Sequence, residues 1–136
     1  MNVPILGIFD DWALLILRLA VGAIFIAHGA AKLKNLSGTA GWFDSIGFKP
    51  GRFWGTLVAF VESLGGLAVL IGFFTQIAAP FLGFVMVVAG SWKIKTKQKL
   101  VGGYELDLIL LAAAITLTVL GGGSLGLDSY LPTLLY

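Results

Sequence analysis

Apolar residues in this chain come in blocks. Four stretches, Trp12–Ala31, Phe53–Phe74, Gln76–Trp92 and Tyr104–Leu120, are almost free of charge, and each approaches the ~20 residues a helix needs to cross a ~30 Å hydrocarbon core. The last two sit near the short limit. Only helices or closed barrels cross a bilayer, because backbone groups find no water there. The stretches lack the strict alternation of barrel strands. The pattern therefore predicts an all-α integral membrane protein, a four-helix bundle forming one domain over 1–136.

The polar and glycine-rich positions punctuate these blocks. Thr75-Gln76 alone interrupts the second and third, which predicts a tight antiparallel hairpin, and Pro80 is read as falling in the first turn of the third span, where a missing N–H costs nothing. Gly102-Gly103 precede the fourth span and Gly121-Gly122-Gly123 end it, offering backbone that need not stay helical. The long connection Leu33–Arg52 contains Trp42, Phe43, Ile46 and Phe48, too apolar a set for a free linker. It predicts an interfacial segment between helices 1 and 2, re-entrant or monotopic, that roofs the bundle and ends at Pro50-Gly51. The tail Leu125–Tyr136, with Asp128, Tyr130, Pro132 and Tyr136, is read as interfacial too.

Composition supports a bilayer environment: 58% hydrophobic and 12% charged residues, with a mean hydropathy of +0.97, lie outside the range of soluble domains. Of the 9 Lys and Arg residues, Lys32, Lys34, Lys49 and Arg52 flank or occupy the first loop, and Lys93, Lys95, Lys97 and Lys99 the third. By the positive-inside rule those loops are cytoplasmic and both termini, which carry aspartate and no basic residue, lie outside a cell (cytoplasmic) membrane. That distribution favours topology over nucleic-acid binding, and the aromatic residues are not interleaved with basic ones as on a base-stacking platform. Met1–Asp11 has no positive n-region and no small-residue cleavage site, so the first span is expected to be retained. With no cysteine and 1 histidine, the chain offers no Fe–S ligand set, no thiol relay, no bis-histidine haem site within one copy and no metal-ligand spacing.

Against this background Glu62 stands out. A carboxylate near the middle of a span costs roughly 2.5–3.5 kcal/mol on insertion scales, so it normally faces protein or water and has a partner. Measured from the outer end of each span at about 1.5 Å per residue, Arg18 lies about 9 Å deep, Glu62 about 17 Å and His28 about 24 Å. Arg18 is the longer side chain and is taken as the partner. Arg18, Gly22, Phe25, Gly29 and Lys32 share one face of the first helix, with Ala23, Ala27 and Ala31 on the opposite face, so that helix is expected to touch protein on both sides. Gly65 and Gly66 beside Glu62 make room for another helix or a ligand. Glu105 and Asp107 enter the fourth span near the depth of His28 and Lys32, which suggests a second polar cluster. Two readings of the Arg18–Glu62 pair stand side by side: a register-fixing ion pair, and a pocket for a hydrogen-bonding molecule arriving from the lipid, such as a quinone headgroup, with His28 exchanging its proton.

The same residues resemble the DoxX family of small four-helix membrane proteins. The likeness runs through Leu17-Arg18-Leu19, Gly22, Phe25, His28-Gly29 and Lys32-Leu33, then Trp42-Phe43, Gly47-Phe48 and Pro50-Gly51. It continues through Glu62, Gly65-Gly66, Gly72 and Thr75, Gly103-Tyr104-Glu105 and Leu127-Asp128. The resemblance implies an oxidoreductase or oxidoreductase subunit linked to quinone. On that basis Glu62, Arg18 and His28 are expected to carry proton chemistry, and Lys32, Glu105, Gly65, Gly66, Trp42 and Phe43 to line the ligand site. Quinone is the expected cofactor, with no haem, Fe–S cluster or metal. The expected partners are the bilayer, a soluble redox protein at the cytoplasmic loops and further copies of the chain. The alternatives are a non-catalytic transporter or binding protein for a lipid-like molecule, and a membrane anchor docking a soluble partner on Lys93–Lys99.

Overall fold

The computed structural model describes residues 5–131, so the sequence expectations for Pro132 and Tyr136 fall outside the described residues. Within that range the regular structure is all helical, with no strand. Its α-helices are α1 (Asp10–Lys34), α2 (Leu36–Ser45), α3 (Gly51–Ile71), α4 (Thr75–Lys95) and α5 (Glu105–Leu120). α1, α3, α4 and the segment Leu100–Leu120, which includes α5, are long and apolar enough to cross a membrane. The protein is thus a multi-pass membrane four-helix bundle. Residue counts of 21 in α3 and in α4 correspond to about 31 Å of helix, matching the hydrocarbon thickness.

Helix ends follow local chemistry. Asp10 and Asp11 open α1, and Lys32 and Lys34 close it, each sign complementing the helix dipole. Asn35 breaks the helix and caps the next one, its Oδ1 accepting from Gly38 N at 2.9 Å. Asp44 Oδ1 accepts from Gly51 N at 2.7 Å and so caps α3. α3 ends at Gly72, whose φ of 71° supplies the left-handed residue that closes the helix. Pro80 lies inside α4 rather than in its first turn. The helix begins at Thr75, so Pro80 is past its first turn, and the proline leaves the Gln76 carbonyl without a helical donor.

α3 is the hub. It packs against α1, α2 and α4, while α5 packs chiefly on α4 and touches α1 only lightly. Val21, Phe25, Val69, Ala79, Leu82, Met86, Leu110 and Leu117 form the shared interior. Large apolar side chains such as Ile16, Leu64, Phe84 and Ile109 point outward, as expected where the solvent is lipid. With no hydrophobic drive between helices in lipid, close approach of small residues does the joining. At the α1–α3 seam a Cβ on Gly22 would stand 2.7 Å from Gly66 O, and one on Gly66 would stand 2.9 Å from Ile26 N. Ala23, Ala27 and Ala31 are exposed, so the second protein contact expected for α1 is not made within one copy.

The segment expected at the interface forms α2. It is a true helix lying along the first turns of α3 rather than a roof across the bundle: Phe43 is buried, and Gly55 and Gly51 of α3 face Thr39, Phe43, Ala40 and Asp44. Trp42 remains 49% exposed and meets Trp92 of α4 edge-on at 5.7 Å.

Candidate functional site

The antiparallel register of α1 and α3 can be read from glycine contacts. Gly72 abuts Arg18, Gly66 abuts Gly22 and Ile26, and Gly29 abuts Ser63 and Ala59. Arg18 is therefore level with the end of α3, some ten residues or about 15 Å from Glu62 along the axis. The pairing inferred from sequence is not formed. Glu62 is met by Lys32, whose Nζ donates to Oε2 at 2.5 Å.

Helix geometry explains the exchange of partners. Lys32 follows Gly29 by almost a turn and so lies beyond Glu62, toward the α2 end. Side chains on a helix lean toward its N-terminus. In α1 that direction carries Lys32 deeper into the bundle, and in α3 it carries Glu62 toward Lys32. The carboxylate side chain is 4% exposed and the lysine 23%, so the pair is closed on one side and reachable on the other. His28, one turn before Lys32 on nearly the same face, is exposed at the bundle surface. It makes no hydrogen bond to Glu62, whose partner is Lys32.

The remaining expected residues divide. Gly65 faces Leu82 of α4, 3.0 Å from where a Cβ would stand, and Gly66 faces α1; both spaces are filled by helices. Trp42 and Phe43 belong to the α2 contact. Glu105 is exposed and accepts from Gly102 N at 3.0 Å, closing the turn before α5. The second cluster exists with different members. Asp107 is buried and pairs with Lys93 at 2.6 Å, and the same ammonium reaches Gly103 O at 3.3 Å. Neither His28 nor Lys32 takes part. Lys93 belongs to α4 and not to the loop after it, because the helix runs to Lys95. A shallow groove of about 630 Å³ lined by Pro50, Arg52, Phe53, Thr56, Leu57 and Phe60 lies on the face of α3 turned away from Glu62.

Sequence reasoning also missed a strap over the other end of the bundle. Residues 121–131 cross that end: Asp11 accepts from Ser124 N at 2.7 Å, Arg18 Nη2 donates to Leu125 O at 3.1 Å, and Asp128 accepts from Phe74 N at 2.7 Å and Thr75 N at 3.1 Å. An aspartate facing the amides that open α4 is a recognisable cap, but it arrives from more than fifty residues away, where no local pattern signals it. Among the described residues no group of three or more His, Cys, Asp or Glu side chains is placed to hold a metal ion.

The sequence profile of the DoxX family matches residues 13–94. The chain is similar to the protein named "Putative oxidoreductase CatD" of Bacillus subtilis (strain 168), with 33% identity over 116 residues, covering 85% of this chain and 84% of that one. It is also similar to "Inner membrane protein YqjF" of Escherichia coli (strain K12), with 36% identity over 81 residues, 59% of this chain and 61% of the relative. No solved structure matches.

Proposed function

This chain belongs to the DoxX family, and from that premise we propose that it is the cell-membrane component of a quinone-linked oxidoreductase, with Lys32 and Glu62 as its proton-handling pair. The observation that carries the reading is the Lys32–Glu62 contact of 2.5 Å within the spans, closed by protein on the carboxylate side and partly open on the lysine side. The name of the Bacillus relative supports the reaction class, and that of the Escherichia relative supports the membrane.

The donor set suits a carbonyl-bearing ring. A bound quinone would supply the redox chemistry, accepting two electrons and two protons. Lys32, with one of its three N–H donors on Glu62, can turn another toward a carbonyl oxygen approaching from the lipid side. Glu62 holds a proton-exchanging group next to that oxygen, and burial keeps bulk water from it. His28, exposed one turn away, is placed to pass protons between the pair and the surface. Arg18 has no part in this site. With no cysteine and one histidine in the chain, electrons come from a partner, for which the basic end carrying Lys95, Lys97 and Lys99 offers a docking surface.

The tight seam around the pair favours a second reading, in which Lys32 and Glu62 fix the α1–α3 register and bind nothing. One experiment separates the two. The protein is purified in mild detergent, and co-eluting small molecules are identified by mass spectrometry beside Glu62→Gln and Lys32→Gln. Stoichiometric quinone in the wild type and its loss from folded variants is the expected result. Bulk lipid alone in all three would leave the pair structural.

A further inference from the structure

The chemistry proposed above uses one face of α3, and the opposite face carries an arrangement of its own. Phe53, Leu57 and Phe60 recur there at steps of four and three. With Pro50, Arg52 and Thr56 they line the groove of about 630 Å³. The groove is open: all three apolar side chains are exposed, and the strip continues deeper along α3 through exposed Leu64, Leu67 and Ile71.

Polar groups hold one edge of this groove, at its outer end only. Arg52 is exposed in the first turn of α3, and the half-buried Thr56 follows one turn deeper. The ion pairs among the described residues use Lys32 and Lys93, so Arg52 has no counter-ion there. Among the same residues Thr56 Oγ1 makes no hydrogen bond, unlike Thr116 and Thr118, which bond carbonyls of their own helix. Lys49 adds an exposed cation beside Pro50. Asp44, the acid nearest in sequence, accepts from Gly51 N.

α3 enters the membrane from this end, so order along the groove is order of depth. At 1.5 Å per residue Thr56 lies about 6 Å deeper than Arg52, and Phe60 about 12 Å deeper. A glycerophospholipid presents its groups in the same order: phosphate, ester carbonyls, acyl chains. We propose that this groove binds an anionic phospholipid. Its phosphate accepts from Arg52, whose side chain leans toward the helix N-terminus and the headgroup layer. An ester carbonyl accepts from Thr56 Oγ1, and an acyl chain lies along Phe53, Leu57 and Phe60. The uncompensated charge of Arg52 and Lys49 favours a headgroup of net negative charge over a zwitterionic one. A second copy packed symmetrically on this face would bring two copies of Arg52 together, and a soluble protein cannot follow the groove into the hydrocarbon.

Photolabelling of the full chain tests the site. The protein is reconstituted in phosphatidylcholine bilayers doped with phosphatidylglycerol or phosphatidylcholine carrying the same diazirine-bearing acyl chain, and labelled residues are mapped by mass spectrometry. At equal mole fraction, phosphatidylglycerol should label residues 53–64 about tenfold more than phosphatidylcholine. Arg52→Gln removes an exposed side chain without an ion-pair partner, so it should fold and bring labelling by phosphatidylglycerol down to the phosphatidylcholine level. Lys99→Gln, which removes an exposed cation from the other basic loop, should leave the preference intact. Equal labelling by the two lipids in the wild type, or an equal loss in both variants, overturns the proposal. Because the chain has no cysteine, Leu57→Cys adds a check on the occupant: it should stay monomeric under oxidation in the bilayer, and a disulfide-linked dimer would give the groove to a second copy instead.

Discussion

Lys32 reaches Glu62 by extending away from the nearest helix end, toward the middle of the bundle, and Glu62 leans to meet it because α1 and α3 run in opposite directions. A lysine so near a helix end would otherwise snorkel outward. The two partners therefore differ in what they do when the other is removed.

Replacing Lys32 with Met strands a carboxylate that is 4% exposed, whereas replacing Glu62 with Leu frees a lysine that can turn to the interface. The expected cost is about 3 kcal/mol or more for Lys32→Met and less than half of that for Glu62→Leu. The double variant should recover much of the loss. Denaturation of the detergent-solubilised protein through a double-mutant cycle measures all three, and equal single costs would contradict the asymmetry.

Glycines at the α1–α3 seam should tolerate no added carbon. Gly29→Ala drives a Cβ into Ser63 and the Ala59 carbonyl, where backbone must shift, so a loss of about 1–3 kcal/mol is expected. Gly41 has nothing within 4 Å of its would-be Cβ, and Gly41→Ala should be neutral or slightly stabilising by helix propensity. Melting temperatures of the two variants provide the comparison.

Of the lysines from 93 to 99, Lys93 alone has an internal ion pair among the described residues. Lys93→Gln should lower the melting temperature clearly, while Lys97→Gln and Lys99→Gln leave it unchanged and, if a soluble partner docks there, weaken its recovery. Loss of stability from the latter two would contradict this division.

Side-specific reporters fused to each terminus test the orientation inferred from charge. Both are expected to report from outside, with a reporter placed at Gly41 reporting from the cytoplasm. Cytoplasmic termini would reverse the assignment and put the strap on the inner face.

The spans and a separate segment before α3 were legible because hydropathy and composition act locally: Trp42 and Phe43 mark an apolar stretch that became α2, which ends at Ser45, and Pro50-Gly51 mark the start of α3. The partner of Glu62 was not legible, for a geometric reason. Depth measured from the outer end of each span treats those ends as level. Yet α1 begins at Asp10 and Arg18 already faces Gly72, so α1 overshoots α3 by about two turns. Helical periodicity placed Arg18 and Lys32 correctly on one face. Choosing between them needed the register, which is set by where Gly22, Gly29, Gly66 and Gly72 let two backbones touch. Lys93 and Asp107 were hidden similarly: the helix carrying Lys93 outlasts its apolar run by a turn.

α1 and α3 carry both members of one ion pair, and α4 and α5 carry both members of the other. Each of these two pairs therefore closes as soon as its own two helices are in the bilayer, and the order of synthesis leaves neither Glu62 nor Asp107 without its lysine. Arg18 alone waits for the strap, where Leu125 O meets it.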